Sequence, residues 1–311
     1  SMLKIYMAAM HFLHYTIPNW MKLIKNTPKI WIKKFPWKKK SSNKYSRGRV
    51  LILGGQKHMI GATILAAEAC LRVGVGSVKI ICNKETIKTL SLKFPSVLKV
   101  EINNISYLKS FLKKERKTTS VALVGPGAGS NSKTMKFTEE ILKQIKYVIL
   151  DADALNSFQH KTKKLLKYLD KFKLITPHKK EFHRLFPSIK TSLEDKEKVL
   201  KFIKLCKSNI LLKGNTTLIG SNKKIIKNTH SSSELAVIGS GDVLAGIIAS
   251  LVGDNKMTII DAASAAAWLH GDIARKYGKG LISEDLIKGI QPGLNRLAKK
   301  WENQKLLMSY C

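Results

Sequence analysis

From residue 49 onward, short β-branched apolar runs alternate with longer stretches whose apolar residues recur at helical spacing. The runs at 50–53, 77–82, 97–102, 120–124, 147–150 and 173–175 are short enough to be buried strands, and the Ala-rich stretch 61–73 reads as a helix. Strand, helix and parallel strand in that order predict an α/β fold of three layers: a mostly parallel central sheet with helices on both faces. The pattern changes after a strand at 210–213. Residues 217–219, a Gly220-Ser221-Asn222 turn and residues 224–226 read as a hairpin. Three helices are expected after it, starting at Gly241, Thr258 and Ser283.

Residues 1–48 break this pattern. They contain no Asp or Glu, carry Pro18, Pro28 and Pro36, and end in the basic run Lys38-Lys39-Lys40. The apolar stretch 5–17 is interrupted by His11 and His14 and is too short to span a bilayer, so no membrane partner is expected. A basic arm lying on the main domain, anchored by Trp20, Trp31 and Trp37, fits better, with 49–311 as the domain proper.

Over the whole chain of 311 residues, 56 Lys and Arg against 21 Asp and Glu give a formal net charge of +35. Such an excess raises nucleic acid as a partner. The lysines are spread over nearly every segment, and there is no zinc spacing and no aromatic platform within a strand. The expectation is therefore no specific nucleic acid, with non-specific affinity of roughly 10⁻⁴–10⁻⁶ M at physiological salt. Cys70, Cys82, Cys206 and Cys311 show no CxxC spacing and fit a cytoplasmic protein.

In open α/β sheets the ligand lies beyond the carboxyl ends of the strands, so strand ends are the places to look for chemistry. The first run ends in Gly54-Gly55 and the fourth in Gly125-Pro126-Gly127-Ala128-Gly129. The fifth ends in Asp151-Ala152-Asp153-Ala154-Leu155-Asn156, where two carboxylates and an amide suit a metal, a phosphate or a ribose, or else a helix cap. The sixth ends in Thr176-Pro177-His178, with Glu181 one helical turn on. Lys213-Gly214-Asn215-Thr216-Thr217 offers a cation and hydroxyls to phosphates, or is a plain hairpin turn with a solvated lysine. Gly239-Ser240-Gly241-Asp242 then precedes an apolar helix. It reads as an anion site at a helix N-terminus with an acid beside it, or as an N-capped core helix.

Taken in order, these motifs resemble the ADP/ATP-dependent NAD(P)H-hydrate dehydratase family of the ribokinase-like superfamily, from about residue 49 to about residue 297. The helix containing His270-Gly271 belongs to the resemblance. It implies a metabolite-repair lyase: the hydroxyl of the S epimer of hydrated NADH or NADPH is phosphorylated by ADP or ATP, and loss of phosphate restores the reduced dinucleotide. Asp242 would take the hydroxyl proton, and Gly239, Ser240 and Gly241 would form the anion hole. Ala62, Gly127, Gly129 and His178 would line the dinucleotide site with Asp242, and Lys213, Gly214, Asn215, Thr216, Thr217 and Gly241 the nucleotide site. Asp153, Asn156 and Glu181 are additional candidates. Mg²⁺ is implied as cofactor, because a polyphosphate leaving group needs its charge neutralised, but the sequence assigns it no ligands. A homo-oligomer is expected.

The chain departs from the family pattern at Gln56, at Lys179-Lys180 in place of Pro-Gly, and at Val237-Ile238, which removes a hydroxyl and adds bulk near the phosphoryl site. The segment 15–18 with Asn26-Thr27-Pro28 and Trp31 is similar to a worn junction to an epimerase domain, an activity expected to be lost or carried by a separate protein. Two other readings stay open. One is a ribokinase-like kinase of a vitamin precursor or sugar. The other is a degenerate protein that binds nucleotide or nucleic acid without turnover.

Overall fold

The computed structural model describes residue 21 and residues 23–309. Trp20, the stretch 5–17, residues 15–18 of the junction-like segment and Cys311 lie outside the described residues. Among the described residues ten strands form one sheet: β1 (Leu23–Lys25), β2 (Arg49–Leu53), β3 (Ser77–Cys82), β4 (Leu98–Glu101), β5 (Val121–Val124), β6 (Val148–Leu150), β7 (Lys173–Ile175), β8 (Asn209–Leu212), β9 (Thr217–Gly220) and β10 (Ile225–Asn228). Their order is β1-β10-β9-β8-β7-β6-β5-β2-β3-β4. β9 runs antiparallel to both neighbours, and the other pairings are parallel.

The alternation of each strand separates two cores. Val50, Ile52, Val78, Ile80, Leu123 and Ile149 face one layer of helices: α1 (Ile60–Val73), α2 (Lys84–Lys93) and the late apolar helices α9 (Ser240–Gly253), α10 (Ile259–Tyr277) and α11 (Ser283–Ser309). Leu51, Leu53, Ile81, Val124 and Leu150 face the other: α3 (Ile105–Glu115), α4 (Ser132–Gln144), the short α5 (Asp153–Asn156), α6 (Thr162–Leu166) and α7 (Lys179–Leu185), and α8 (Asp195–Cys206). These are the three layers expected from the apolar pattern. α1 and α9 approach so closely that a Cβ on Gly246 would lie 2.3 Å from the Ala66 carbonyl oxygen.

Residues 23–35 do more than lie on the domain. β1 adds an edge strand parallel to β10, with Leu23 opposite Ile225. Asn26 is buried just after it, donating to Asn228 Oδ1 (2.8 Å) and the Ser264 carbonyl (2.7 Å) and accepting from Trp31 Nε1 (3.0 Å). Trp31 is 1% exposed and packs on Phe35 and Trp268. Trp37 is half-buried against Phe35. Trp31→Ala is expected to cost about 3–5 kcal/mol, the range for emptying a buried Trp site. Urea unfolding measures it, and a loss below about 1 kcal/mol would mean that these residues add little to the core.

Candidate functional site

The carboxyl ends of β6, β7 and β8 deliver their successor residues to the start of α9. A parallel bridge holds His178 beside Lys213. Gly239 has φ +86°, and a Cβ there would lie 2.5 Å from Leu65 Cδ1 on α1. The left-handed backbone is what favours glycine here, since the Leu65 side chain could shift. Ser283 Oγ donates to the Ile238 carbonyl (2.6 Å), and Ser240 N–H donates to the Val237 carbonyl (3.3 Å), so the turn is tied on both sides. The N–H groups of Gly241 and Asp242, in the first turn of α9, have no intrahelical acceptor and stand at the positive end of the helix dipole. Lys213 Nζ lies 3.4 Å from where a Cβ on Gly241 would be, so an ammonium and a helix N-terminus share one place.

Asp242 is partly buried there. Burial, reinforced by the negative charges of Asp151, Asp153 and Glu181 and opposed by Lys213, pushes its carboxyl up to about 7. Asp151 is fully buried: its Oδ1 accepts from Lys213 Nζ (2.8 Å) and from Thr176 Oγ1 (2.8 Å). Lys213 is thus ion-paired and not a solvated turn lysine, with 22% of its side chain exposed. Between the two acids, Ala152 has φ +45°. A non-glycine residue held there costs of order 1–3 kcal/mol, and the strained turn sets both Asp151 and Asp153 within reach of Asp242's electrostatics. Asp153 Oδ2 accepts from Gly129 N–H (2.9 Å), joining the fifth strand end to the fourth, while burial holds its carboxyl above the usual range.

His178 caps α7: its Nδ1 accepts from Glu181 N–H (3.2 Å), and Glu181 Oε2 accepts from His178 N–H (2.9 Å). With Nδ1 accepting, the neutral ring carries its proton on Nε2. Partial burial holds His178 below the ordinary histidine range, with the Glu181 charge opposing. In the adjoining loops, Gly55 N–H donates to Thr63 Oγ1 (2.7 Å), which donates to the Pro126 carbonyl (2.8 Å), and Gln56 N–H donates to the Gly127 carbonyl (2.9 Å). Ala62 is half-buried on α1, one turn before Leu65. Asn156 is half-buried one turn after Asp153.

A cavity of about 680 Å³ opens beside this cluster. His178, Lys213, Gly214, Asn215, Thr217, Ser240 and Gly241 border it, with Thr216 in the same turn. So do Val237 and His270, which the family resemblance had already picked out, and residues that the sequence reading did not single out: Asn228, Thr229, the serine run 231–233 and Ala267. The serine run follows β10 after Thr229 and His230, and its row of hydroxyls past a strand end was the visible signal. The bulk at Val237-Ile238 is divided: Val237 lines the cavity, whereas Ile238 is 100% exposed. Lys179, in place of the family's Pro, pairs with Asp195 (2.8 Å).

The glycine next to His270 allows the close approach of α10 to this wall. Gly271 packs so tightly that a Cβ would lie 1.8 Å from the His230 carbonyl oxygen. His270 Nε2 is 3.3 Å from Ser240 Oγ, and burial pushes its imidazole down to about 4. A histidine depressed in the folded state contributes stability that is full above its unfolded value near 6.5 and is lost as pH falls toward 4. His270→Gln should therefore lose less stability than wild type between pH 7 and pH 4.5. Equal losses in paired urea titrations would refute this.

The family model described as NAD(P)H-hydrate dehydratase matches residues 50–291. An ADP-dependent (S)-NAD(P)H-hydrate dehydratase of Neisseria meningitidis is 30% identical over 279 residues, covering 85% of this chain and 91% of that protein. A bifunctional NAD(P)H-hydrate repair enzyme Nnr of Vibrio cholerae is 29% identical over 268 residues, which are 84% of this chain and 52% of that protein. The chain spans about half the length of the bifunctional relatives it matches. Among solved structures, a ribokinase-like superfamily protein from Enterococcus faecalis superposes with a TM-score of 0.78 at 22% identity, covering 91% of this chain and 99% of that one. An ADP/ATP-dependent NAD(P)H-hydrate dehydratase from Bacillus subtilis, co-crystallised with ATP and Mg²⁺, gives 0.74 at 22%, covering 89% and 99%. These two likenesses show the ribokinase-like fold. The family match takes in every strand end that builds the site, and on it the chain belongs to the NAD(P)H-hydrate dehydratase family.

Proposed function

We propose that this chain dehydrates the S epimer of hydrated NADH or NADPH, with ADP or ATP as phosphate donor. The observation that carries the reading is that the Lys213 ammonium and the N-terminus of α9 border one cavity, while Asp242, next along α9 after the lining residue Gly241, has its carboxyl poised near neutrality. A base tuned close to the working pH is the most effective proton acceptor. Asp242 takes the proton of the ring hydroxyl, whose oxygen attacks the terminal phosphorus of the donor. The phosphorus–oxygen bond to the departing AMP or ADP breaks. Lys213 and the N–H groups of Gly241 and Asp242 meet the charge on the transferring phosphoryl oxygens. The ring carbon–oxygen bond then breaks as the adjacent carbon gives up a proton, releasing phosphate and the reduced dinucleotide.

In this reading Lys213, Gly214, Asn215, Thr216 and Thr217 hold the donor, and Ala62, Gly127, Gly129 and His178 the hydrated ring. Bound magnesium would neutralise the leaving group. Asp151, Asp153 and Glu181 are hard oxygen donors whose charges meet at Asp242, which suits such an ion. Among the described residues no group of three His, Cys, Asp or Glu forms a ready cage. Asp151 and Asp153 would hold the ion with the donor phosphates and water.

No described helix is long and apolar enough to cross a membrane. Cytoplasmic location, self-association and a separate epimerase are part of the proposal. The test is recovery of the near-ultraviolet absorbance of NADH from its hydrate with each nucleotide, with one phosphate released per NADH. Nucleotide binding without recovery would favour a degenerate binder. Transfer to a sugar or vitamin precursor that leaves the hydrate untouched would make the protein a small-molecule kinase.

A further inference from the structure

A second cavity, of about 600 Å³, shares the serine run 231–233 with the donor cavity as a common border. His230, Asp272, Arg275, Lys276 and Lys300 complete its lining. The one acid among them is already engaged: Asp272 Oδ2 accepts from Arg296 Nε (3.0 Å) and Nη2 (2.7 Å), and its Oδ1 lies 3.3 Å from His230 Nε2. His230 is fixed by stacking on Trp268, with 4.5 Å between ring centroids and 9° between planes. The Lys300 ammonium lies 4.8 Å from the Trp268 ring centroid. The cavity therefore presents three cations and a row of hydroxyls, with its only carboxylate neutralised from behind. That is the lining of a phosphate site.

Its place relative to the donor cavity says what would bring the phosphate. In the donor reading the reacting phosphate is held at Lys213 and α9, which leaves Thr229, the serine run and Ala267 to receive the nucleoside. The nucleoside would then lie along the serine run that also borders the cations. We propose that this second cavity binds a phosphate group on the ribose of the donor nucleotide, so that a ribose-phosphorylated nucleotide spans both cavities. The inference rests on the donor reading given above.

Calorimetric titration of the full chain tests it, with ADP, its 2′-phosphorylated and 3′-phosphorylated derivatives, and inorganic pyrophosphate added to the ADP complex. At least one derivative should bind about tenfold more tightly than ADP, the worth of one added charge-assisted contact. Arg275→Glu combined with Lys276→Glu should abolish that gain and leave the ADP dissociation constant within about twofold. Because Arg275 Nη1 also donates to the Ser231 carbonyl (3.4 Å), Lys276→Glu alone serves as a second variant and should remove part of the gain. The proposal is overturned if neither derivative outbinds ADP, or if the gain survives the double variant. It is also overturned if only free pyrophosphate binds in a charge-dependent way, since the cavity would then be an anion site independent of the donor. Failure of ADP itself to bind would instead overturn the donor reading.

Discussion

Asp242→Asn is expected to lower turnover by about 10²–10⁴-fold, the usual contribution of a positioned general base. The same substitution should stabilise the protein at alkaline pH. Asp242's carboxyl sits at about 7 in the folded state against an ordinary 3.8, so the native protein holds that proton more tightly than the unfolded chain does. The stability linked to it is full below about pH 4 and is lost as pH rises through about 7. At pH 8 the wild type keeps an unfavourable charge among Asp151, Asp153 and Glu181, and the amide does not. Wild-type turnover should rise with pH and level off, with its inflection below about 7 because magnesium held by Asp151 and Asp153 would offset their charges. Thermal unfolding at pH 5 and pH 8, alongside single-turnover rates, reads both effects. Near-normal turnover in the variant would remove Asp242 from the mechanism, and an unfolding temperature lower than wild type at pH 8 would contradict the electrostatic picture.

Lys213→Met should have the second largest effect, on stability and chemistry together. Removing one partner of a buried ion pair typically costs about 3–5 kcal/mol, because the other charge is stranded. Asp151 would be stranded in this way; the 22% exposure of Lys213 points to the low end of that range. Lys213 also opposes the upward push on Asp242, so its loss should move the pH–rate inflection to higher pH. Nucleotide affinity should fall as well. Adding Asp151→Asn should return much of the stability and none of the turnover. A double-mutant cycle in which the two losses simply add would show that the pair is not coupled.

Most of the sheet was legible because its strands are buried on both faces and stand out as short β-branched runs bounded by Gly, Pro or Asp. The hairpin of β9 and β10 and the starts of α9, α10 and α11 followed from turn residues and the apolar run. β1 was not legible: Leu23, Ile24 and Lys25 are too few to show a period, and their strand identity comes from β10. The site divides in the same way. Lys213 stood out just past the end of β8 and Asp242 in a glycine-rich turn that opens an apolar helix, and the family resemblance that these motifs carry agrees with the family match. Asp151, in contrast, was visible only as one of two acids in a motif. Its importance as the buried partner of Lys213 depends on a contact across 62 positions of sequence. The serine run and His270 reach the cavity through a hairpin return and a helix, which local pattern does not connect.

The edge position of β1 bears on how the protein behaves when it is stressed. β10 is the strand that leads straight into the cavity wall at 229–233, and with β1 absent its outer hydrogen-bonding edge would face solvent. An uncovered apolar edge of that kind is a template for pairing with another chain. Asn26 N–H extends the seal by donating to the Lys227 carbonyl (2.8 Å). Amide exchange in β10 should accordingly track the undocking of residues 23–35, and conditions that release them should lead to aggregation before strands β6, β7 and β8 melt.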